Sequence, residues 1–138
     1  MDPDVTSSLP LVLIVDDHAE GREGCALLLT RAGFRVVTAI NGLDGLVKAL
    51  SLRPDVIVMD LVMPDLDGFD CTRQLAVSST TREIPVIALT AHATPEARAR
   101  ALAAGCRALL VKPFQPSSLI AEVARLAVPA AGGDSPPA

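Results

Sequence analysis

The chain has 138 residues, half of them hydrophobic and a fifth charged, so it can bury a core of single-domain size and is not disordered as a whole. Aromatics make up only 2% (three Phe, no Tyr, no Trp), which argues against the stacking platforms that hold single-stranded nucleic acid. With 12 basic and 16 acidic residues the net charge is -4, which disfavours duplex DNA as a partner too.

Residues 1–9 begin the chain as a polar tail, expected to be disordered. Asp2 and Asp4 stand where a secretion signal needs basic residues, so this is a poor signal peptide. The apolar run Leu11 to Val15 reads as a strand buried on both faces, ended by Asp16 and Asp17. A helix is expected from about Ala19 to Ala32, with Gly33 where a C-cap belongs. Phe34 to Ala39 is rich in β-branched residues and predicts a second strand. After the Asn41-Gly42 turn, Leu43, Leu46, Val47 and Leu50 recur at helical spacing until Pro54.

Asp55 to Met59 predicts the third strand, ended by Asp60, and a helix follows from about Gly68 to Val77. Pro85 to Leu89 is the fourth strand, ended by Thr90. Thr94-Pro95-Glu96 opens a helix with a hydroxyl cap, a proline in the first turn and an acid beside it, and Gly105 suits its end. Ala108 to Val111 is the fifth strand, ended by Lys112-Pro113. The last helix runs from Pro116 to Ala127, with Leu119, Ile120, Val123 and Leu126 on one face. One folded domain is thus expected over residues 10–128, with a flexible tail or linker over 129–138. Five strands alternating with five helices imply an α/β fold, a parallel sheet covered on both faces.

No apolar stretch approaches the ~18 residues that span a bilayer. Cys25, Cys71 and Cys106 form no CxxC pair, which suits reduced thiols and a cytoplasmic protein better than a disulfide framework or a zinc site.

The strand ends carry the chemistry. In an open parallel sheet, ligands bind outside the carboxyl ends of the strands. Asp16, Asp17, Asp60, Thr90 and Lys112 all fall at that edge. Each also has a plain reading: an Asp after a strand can cap the next helix, Thr90 can cap a turn, and Lys112 can be a solvated charge. Together these readings weaken, because three carboxylates on one crevice repel and one lysine cannot neutralise them. A hard divalent cation can, and Mg²⁺ takes a few carboxylates while leaving positions open for phosphate.

Four pieces, LVLIVDD, VIVMDLVMPDLDG, PVIALTA and LLVKPF, occur in order at these strand ends. With them the chain resembles the receiver domains of two-component response regulators, the CheY-like family, from about Leu11 to Ala127. The resemblance implies a doubly wound, flavodoxin-like (βα)5 fold with strand order 2-1-3-4-5. It implies that Asp60 accepts a phosphoryl group from a histidine of a sensor kinase or phosphotransfer protein. It also implies that Asp16, Asp17, Asp60 and the backbone carbonyl of Val62 hold Mg²⁺. Lys112 is then the partner of the phosphoryl oxygens, Thr90 the hydroxyl that moves toward them, and the Lys112-Pro113 bond is cis. The chemistry agrees: a carboxylate can attack phosphorus, and a loose transition state asks for in-line positioning and positive charge.

Departures from the family pattern are at Leu109, where a switch aromatic is usual, and at the rate-tuning positions Val62 and His92. Val62 cannot orient an attacking water, so slow loss of phosphate is expected unless His92 assists. His18 and His92 are isolated in sequence and read as surface or supporting residues, not metal ligands. Arg98 and Arg100 read as a solvated helix face on the family's usual output surface.

With no DNA-binding segment after Ala127, output is expected through protein contacts of the Thr94–Ala104 helix, the fifth strand and the last helix. The chain is not read as an enzyme beyond its own phosphorylation and dephosphorylation. A Mg²⁺-dependent phosphatase of the haloacid-dehalogenase type is the alternative, but its D-x-D loop is missing after the first strand. A flavin binder lacks a phosphate loop and aromatic flanks. Asp65-Leu66-Asp67-Gly68 is a poor calcium loop, since the register puts Met63 first and Gln74 last. Whether the chain is a stand-alone regulator or the receiver piece of a hybrid kinase is left open by the sequence.

Overall fold

A computed structural model describes residues 9–63, 66–92 and 94–127 of the chain. The tail expectations for residues 1–8 and 129–138, and the calcium-loop position Asp65, lie outside the described residues. The strands are β1 (Leu11–Val15), β2 (Arg35–Ala39), β3 (Val56–Asp60), β4 (Val86–Thr90) and β5 (Ala108–Val111). Between and after them come α1 (Ala19–Arg31), α2 (Gly42–Leu52), α3 (Gly68–Val77), α4 (Pro95–Ala104) and α5 (Pro116–Leu126). All neighbouring strands are parallel, in the order β2-β1-β3-β4-β5. The expected α/β class and strand order are both observed.

Strand periodicity divides the core in two. Val12, Ile14, Val58 and Leu89 point to one face, where Leu29 of α1 and Leu119 and Val123 of α5 cover them. Leu13, Val15, Ile57, Met59 and Ala88 point to the other, under Ala49 of α2, Phe69, Cys71 and Leu75 of α3 and Ala101 of α4. The three inner strands β1, β3 and β4 are therefore buried on both faces, which is why they read as unbroken apolar runs.

The helix starts follow local chemistry. Asn41 caps α2 by accepting from the Asp44 N–H at 2.8 Å, Asp67 caps α3 from Asp70 at 2.9 Å, and Thr94 caps α4 from Ala97 at 3.0 Å. Gly105 ends α4 in the left-handed region at φ 116°, as its position in the sequence suggests.

The apolar spacing in α2 misplaces the buried face. Leu43, Val47 and Leu50 are exposed, and the helix packs instead through Gly42, Gly45 and Ala49. The cause is close approach: a Cβ at Gly45 would stand 2.9 Å from Val15 Cγ2. Small residues let the helix backbone sit directly on β1, and the larger apolar side chains are turned outward.

Candidate functional site

Parallel pairing brings the carboxyl ends of β1, β3 and β4 side by side at the centre of the sheet, with β5 beside β4. Asp16 follows β1, Asp60 is the last residue of β3, Thr90 the last of β4, and Lys112 follows β5. One donor atom each from Asp16, Asp17, His18 and Asp60 falls within 4.8 Å of the others. Lys112 Nζ is 3.6 Å from Asp60 Oδ2. The other lysine, Lys48, is occupied elsewhere, donating to the Thr38 carbonyl at 2.7 Å and pairing with Asp44 at 3.2 Å.

The aspartates are not used as helix caps. The N-cap of α1 is His18, which makes no side-chain cap bond, while Asp16 Oδ1 accepts from the His18 N–H at 2.9 Å. Asp16 and Asp60 are almost fully buried, yet both keep carboxylate oxygens facing the crevice. Burial pushes the Asp60 carboxyl above its ordinary range. The Val62 backbone N–H, 3.1 Å from Oδ1, and the Lys112 charge oppose that rise, and Asp16 adds to it. Asp17 Oδ1 is buried and accepts no hydrogen bond. A buried carboxylate oxygen without a donor is costly unless a cation completes it. The residues present therefore fit a divalent ion held by oxygen ligands.

The described residues that flank the β3–α3 turn pack against the site. Val62 is 59% exposed at its rim, and Gly68 N–H donates back to the Leu61 carbonyl at 3.1 Å. A Cβ at Gly68 would collide with the Asp60 carbonyl oxygen and stand 2.6 Å from Leu61 Cα, so no larger residue fits there. Thr90 does cap a turn: its Oγ1 accepts from the His92 N–H at 3.0 Å and donates to the His92 carbonyl at 3.2 Å. Its hydroxyl is engaged beside the crevice, and His92 is exposed beyond it. Leu109 pairs with Ala88 and packs, partly buried, on the α2–α4 side of the core. The Lys112–Pro113 peptide bond is cis.

Two residues have contacts the sequence reading missed. His18 reaches three carboxylates with one ring nitrogen: Nδ1 is 3.2 Å from Asp17, 3.6 Å from Asp16 and 3.9 Å from Asp60. Its place directly after Asp16-Asp17 was the available signal. Arg100 is not simply solvated, because its guanidinium lies over the Phe69 ring, 3.9 Å from the centroid. Beside this pair, Leu61, Val62, Thr90, His92 and Glu96 help to line a cavity of about 270 Å³.

The sequence matches the family described as "Response regulator receiver domain" over residues 12–124. The chain belongs to that family. It is 39% identical over 126 residues to the transcriptional regulatory protein PrrA of Mycobacterium bovis, covering 91% of this chain and 52% of that one. The chain spans about half the length of the curated relatives it matches first. Among solved structures, the Vibrio cholerae chemotaxis protein CheY4 superposes with a TM-score of 0.82 at 34% identity, covering 86% of this chain and 99% of that one. The receiver domain of sensor histidine kinase PA1611 from Pseudomonas aeruginosa gives 0.81 at 32% identity over 87% of this chain and 98% of that one. That structure has a magnesium ion coordinated in its active-site cleft. Among the described residues no helix is long and apolar enough to cross a membrane.

Proposed function

We propose that the chain is a phosphorylation-driven switch in which Asp60 receives a phosphoryl group from a histidine of a sensor kinase or phosphotransfer protein. The observation that carries this reading is the position of Asp60, buried at the end of β3 between Lys112 at 3.6 Å and the Asp16, Asp17 pair. An Asp60 carboxylate oxygen forms the new bond to phosphorus as the donor histidine's N–P bond breaks, and the released imidazole nitrogen keeps the bond's electron pair. Lys112 is placed to balance charge on the phosphoryl oxygens, and the crevice holds the attacking carboxylate in line.

Asp16, Asp17, Asp60 and the Val62 carbonyl would hold Mg²⁺, whose charge offsets that of the three carboxylates and the incoming phosphate. Support comes from the donor set, from the unpartnered Asp17 oxygen and from the magnesium-bound PA1611 receiver. Phosphorylation puts about -2 on Asp60. Thr90 then exchanges its bond to the His92 carbonyl for one to the phosphoryl oxygens, which pulls on the loop leading into α4.

The output surface in this reading is α4, β5 and α5, met by a downstream protein and not by nucleic acid. β5 is an edge strand, so this face is reached without crossing the rest of the sheet. Val62 and His92 set the phosphate lifetime. The chain catalyses only its own phosphorylation and dephosphorylation, in the cytoplasm, where its three free cysteines stay reduced. Similarity to the PA1611 receiver supports a second context for the same chemistry, the receiver piece of a hybrid kinase.

Incubation with acetyl phosphate and Mg²⁺, read by intact mass, tests the core claim. A single phosphate-sized gain that disappears in Asp60→Ala is expected. Absence of any gain overturns the phosphoacceptor role, and sustained turnover of p-nitrophenyl phosphate moves the assignment to a phosphatase.

A further inference from the structure

We infer that His18 is a further protein ligand of the metal site, a fifth beside the three aspartates and the Val62 carbonyl, so that this receiver prefers first-row transition-metal ions with affinity for imidazole over Mg²⁺. This inference rests on the metal-binding part of the proposed function and adds a nitrogen donor to it.

The geometry brings one ring nitrogen, not the ring edge or the backbone, to the acidic cluster. Nδ1 of His18 is 3.2, 3.6 and 3.9 Å from oxygens of Asp17, Asp16 and Asp60. Adjacent ligands of an octahedral ion with bonds of ~2.1 Å stand ~3.0 Å apart, and opposite ligands ~4.2 Å apart. All four donors, lying within 4.8 Å of one another, fall close to that range. The closest contact, His18 Nδ1 to Asp17 Oδ1, is not a hydrogen bond, for that oxygen has no hydrogen-bond partner. A cation between these two atoms would complete both.

His18 is free to take this role. It is the N-cap residue of α1 but makes no side-chain cap bond. Its side chain is 71% exposed, so the ring can adjust without disturbing the core. Its backbone N–H is fixed on Asp16 Oδ1 at 2.9 Å, which ties the ring's origin to a carboxylate of the same site.

The donor set then decides the ion. Three carboxylates alone suit Mg²⁺, a hard ion that takes oxygen and keeps its waters. Imidazole nitrogen adds little for Mg²⁺ but binds well to Mn²⁺, Co²⁺, Ni²⁺ and Zn²⁺, with affinity rising along the series to the later metals. One added nitrogen therefore widens the separation between the ions beyond what the oxygens give.

The test is calorimetric titration of the wild-type chain, His18→Ala and Asp16→Asn with MgCl₂ and with CoCl₂, together with electron spin-echo modulation of the Mn²⁺-loaded proteins. His18→Ala is expected to weaken Co²⁺ about tenfold or more while moving Mg²⁺ less than about twofold. Nitrogen modulation from a directly bound imidazole is expected with wild type and should vanish in His18→Ala. Equal losses for both ions would mean that His18 only positions the aspartates, which overturns the inference. Unchanged Co²⁺ affinity, or no imidazole signal in wild type, overturns it as well. Binding of both ions that depends on Asp16 but ignores His18 leaves the proposed function standing without this ligand. If neither ion binds wild type, or Asp16→Asn changes neither affinity, the metal site itself fails and both readings go.

Discussion

Arg100 of α4 lies over the Phe69 ring of α3, 3.9 Å from its centroid, while its Nη2 is 3.9 Å from Asp67 Oδ2 at the start of that helix. The pair joins the two helices next to Thr90, with the 270 Å³ cavity alongside. Leu109 is aliphatic where the resemblance implies a switch aromatic on β5, and Phe69 lines the same cavity as Thr90. Half-exposed cation–π contacts contribute about 0.5–1 kcal/mol. Arg100→Ala is expected to cost about that much in urea unfolding, and a double-mutant cycle with Phe69→Leu should return most of it as coupling. Additive effects of the two substitutions would show that the contact carries no energy.

The carboxylate cluster predicts a stabilising substitution. Asp16 is almost fully buried and adds to the rise of the Asp60 carboxyl, so like charges face each other when no metal is bound. Asp16→Asn keeps an oxygen for the His18 N–H and removes one of those charges. In EDTA its melting temperature should exceed that of wild type, by an amount equivalent to about 1 kcal/mol, with Mg²⁺ affinity reduced. A lower melting temperature in EDTA would show that repulsion does not govern the metal-free fold.

Much of this arrangement was legible in the sequence because the residues that matter break apolar runs. Asp16, Asp60, Thr90 and Lys112 each stop a strand, and parallel pairing then places strand ends together whatever the details of packing. Faces and partners were harder. Leu43, Val47 and Leu50 have the spacing of a buried stripe, but Gly45 fits against Val15 where a leucine could not, and that is a property of two elements together. Arg100 gains its ring contact from Phe69, 31 positions away, and His18 its third carboxylate from Asp60, 42 positions away, distances along the chain that no local pattern records.

Alkaline pH should expose the burial of Cys71. Its side chain is inaccessible, and burial, then the Asp67 charge, push its thiol from 9.0 to about 12. The folded state therefore holds this proton at pH values where the unfolded chain has lost it, so the Cys71 contribution to stability is complete below about pH 9 and is lost as pH climbs toward 12. At about pH 10.5 the loss is about 2 kcal/mol, from ~1.4 kcal/mol per pH unit above the unfolded value. Cys71→Ala, measured in urea at pH 8 and 10.5, should show a smaller drop than wild type. Equal drops would place the alkaline loss in other groups. Native-state alkylation should meanwhile label half-buried Cys25 well before buried Cys71 and Cys106.

Phosphate lifetime is the prediction that bears most directly on signalling. Val62 is exposed at the rim of the crevice and has no polar atom on its side chain, so it cannot hold a water in line with the Asp60–phosphorus bond. His92 is exposed too, and its backbone N–H and carbonyl are both engaged by Thr90 Oγ1, which fixes where its ring begins but leaves the ring itself near solvent. A slow spontaneous loss of phosphate is expected for the wild type. Val62→Asn adds a group able to orient the attacking water, and one such hydrogen bond of ~1 kcal/mol in the transition state corresponds to about a fivefold faster rate. His92→Ala should lengthen the half-life further if the imidazole guides the water, and a rate rising with His92 present but not in its absence would assign it that role. Half-lives of the phosphorylated protein, followed by intact mass in wild type and both variants, distinguish these effects. A short-lived wild type whose rate neither substitution changes would mean that water reaches the phosphoryl group by a route that these two side chains do not control.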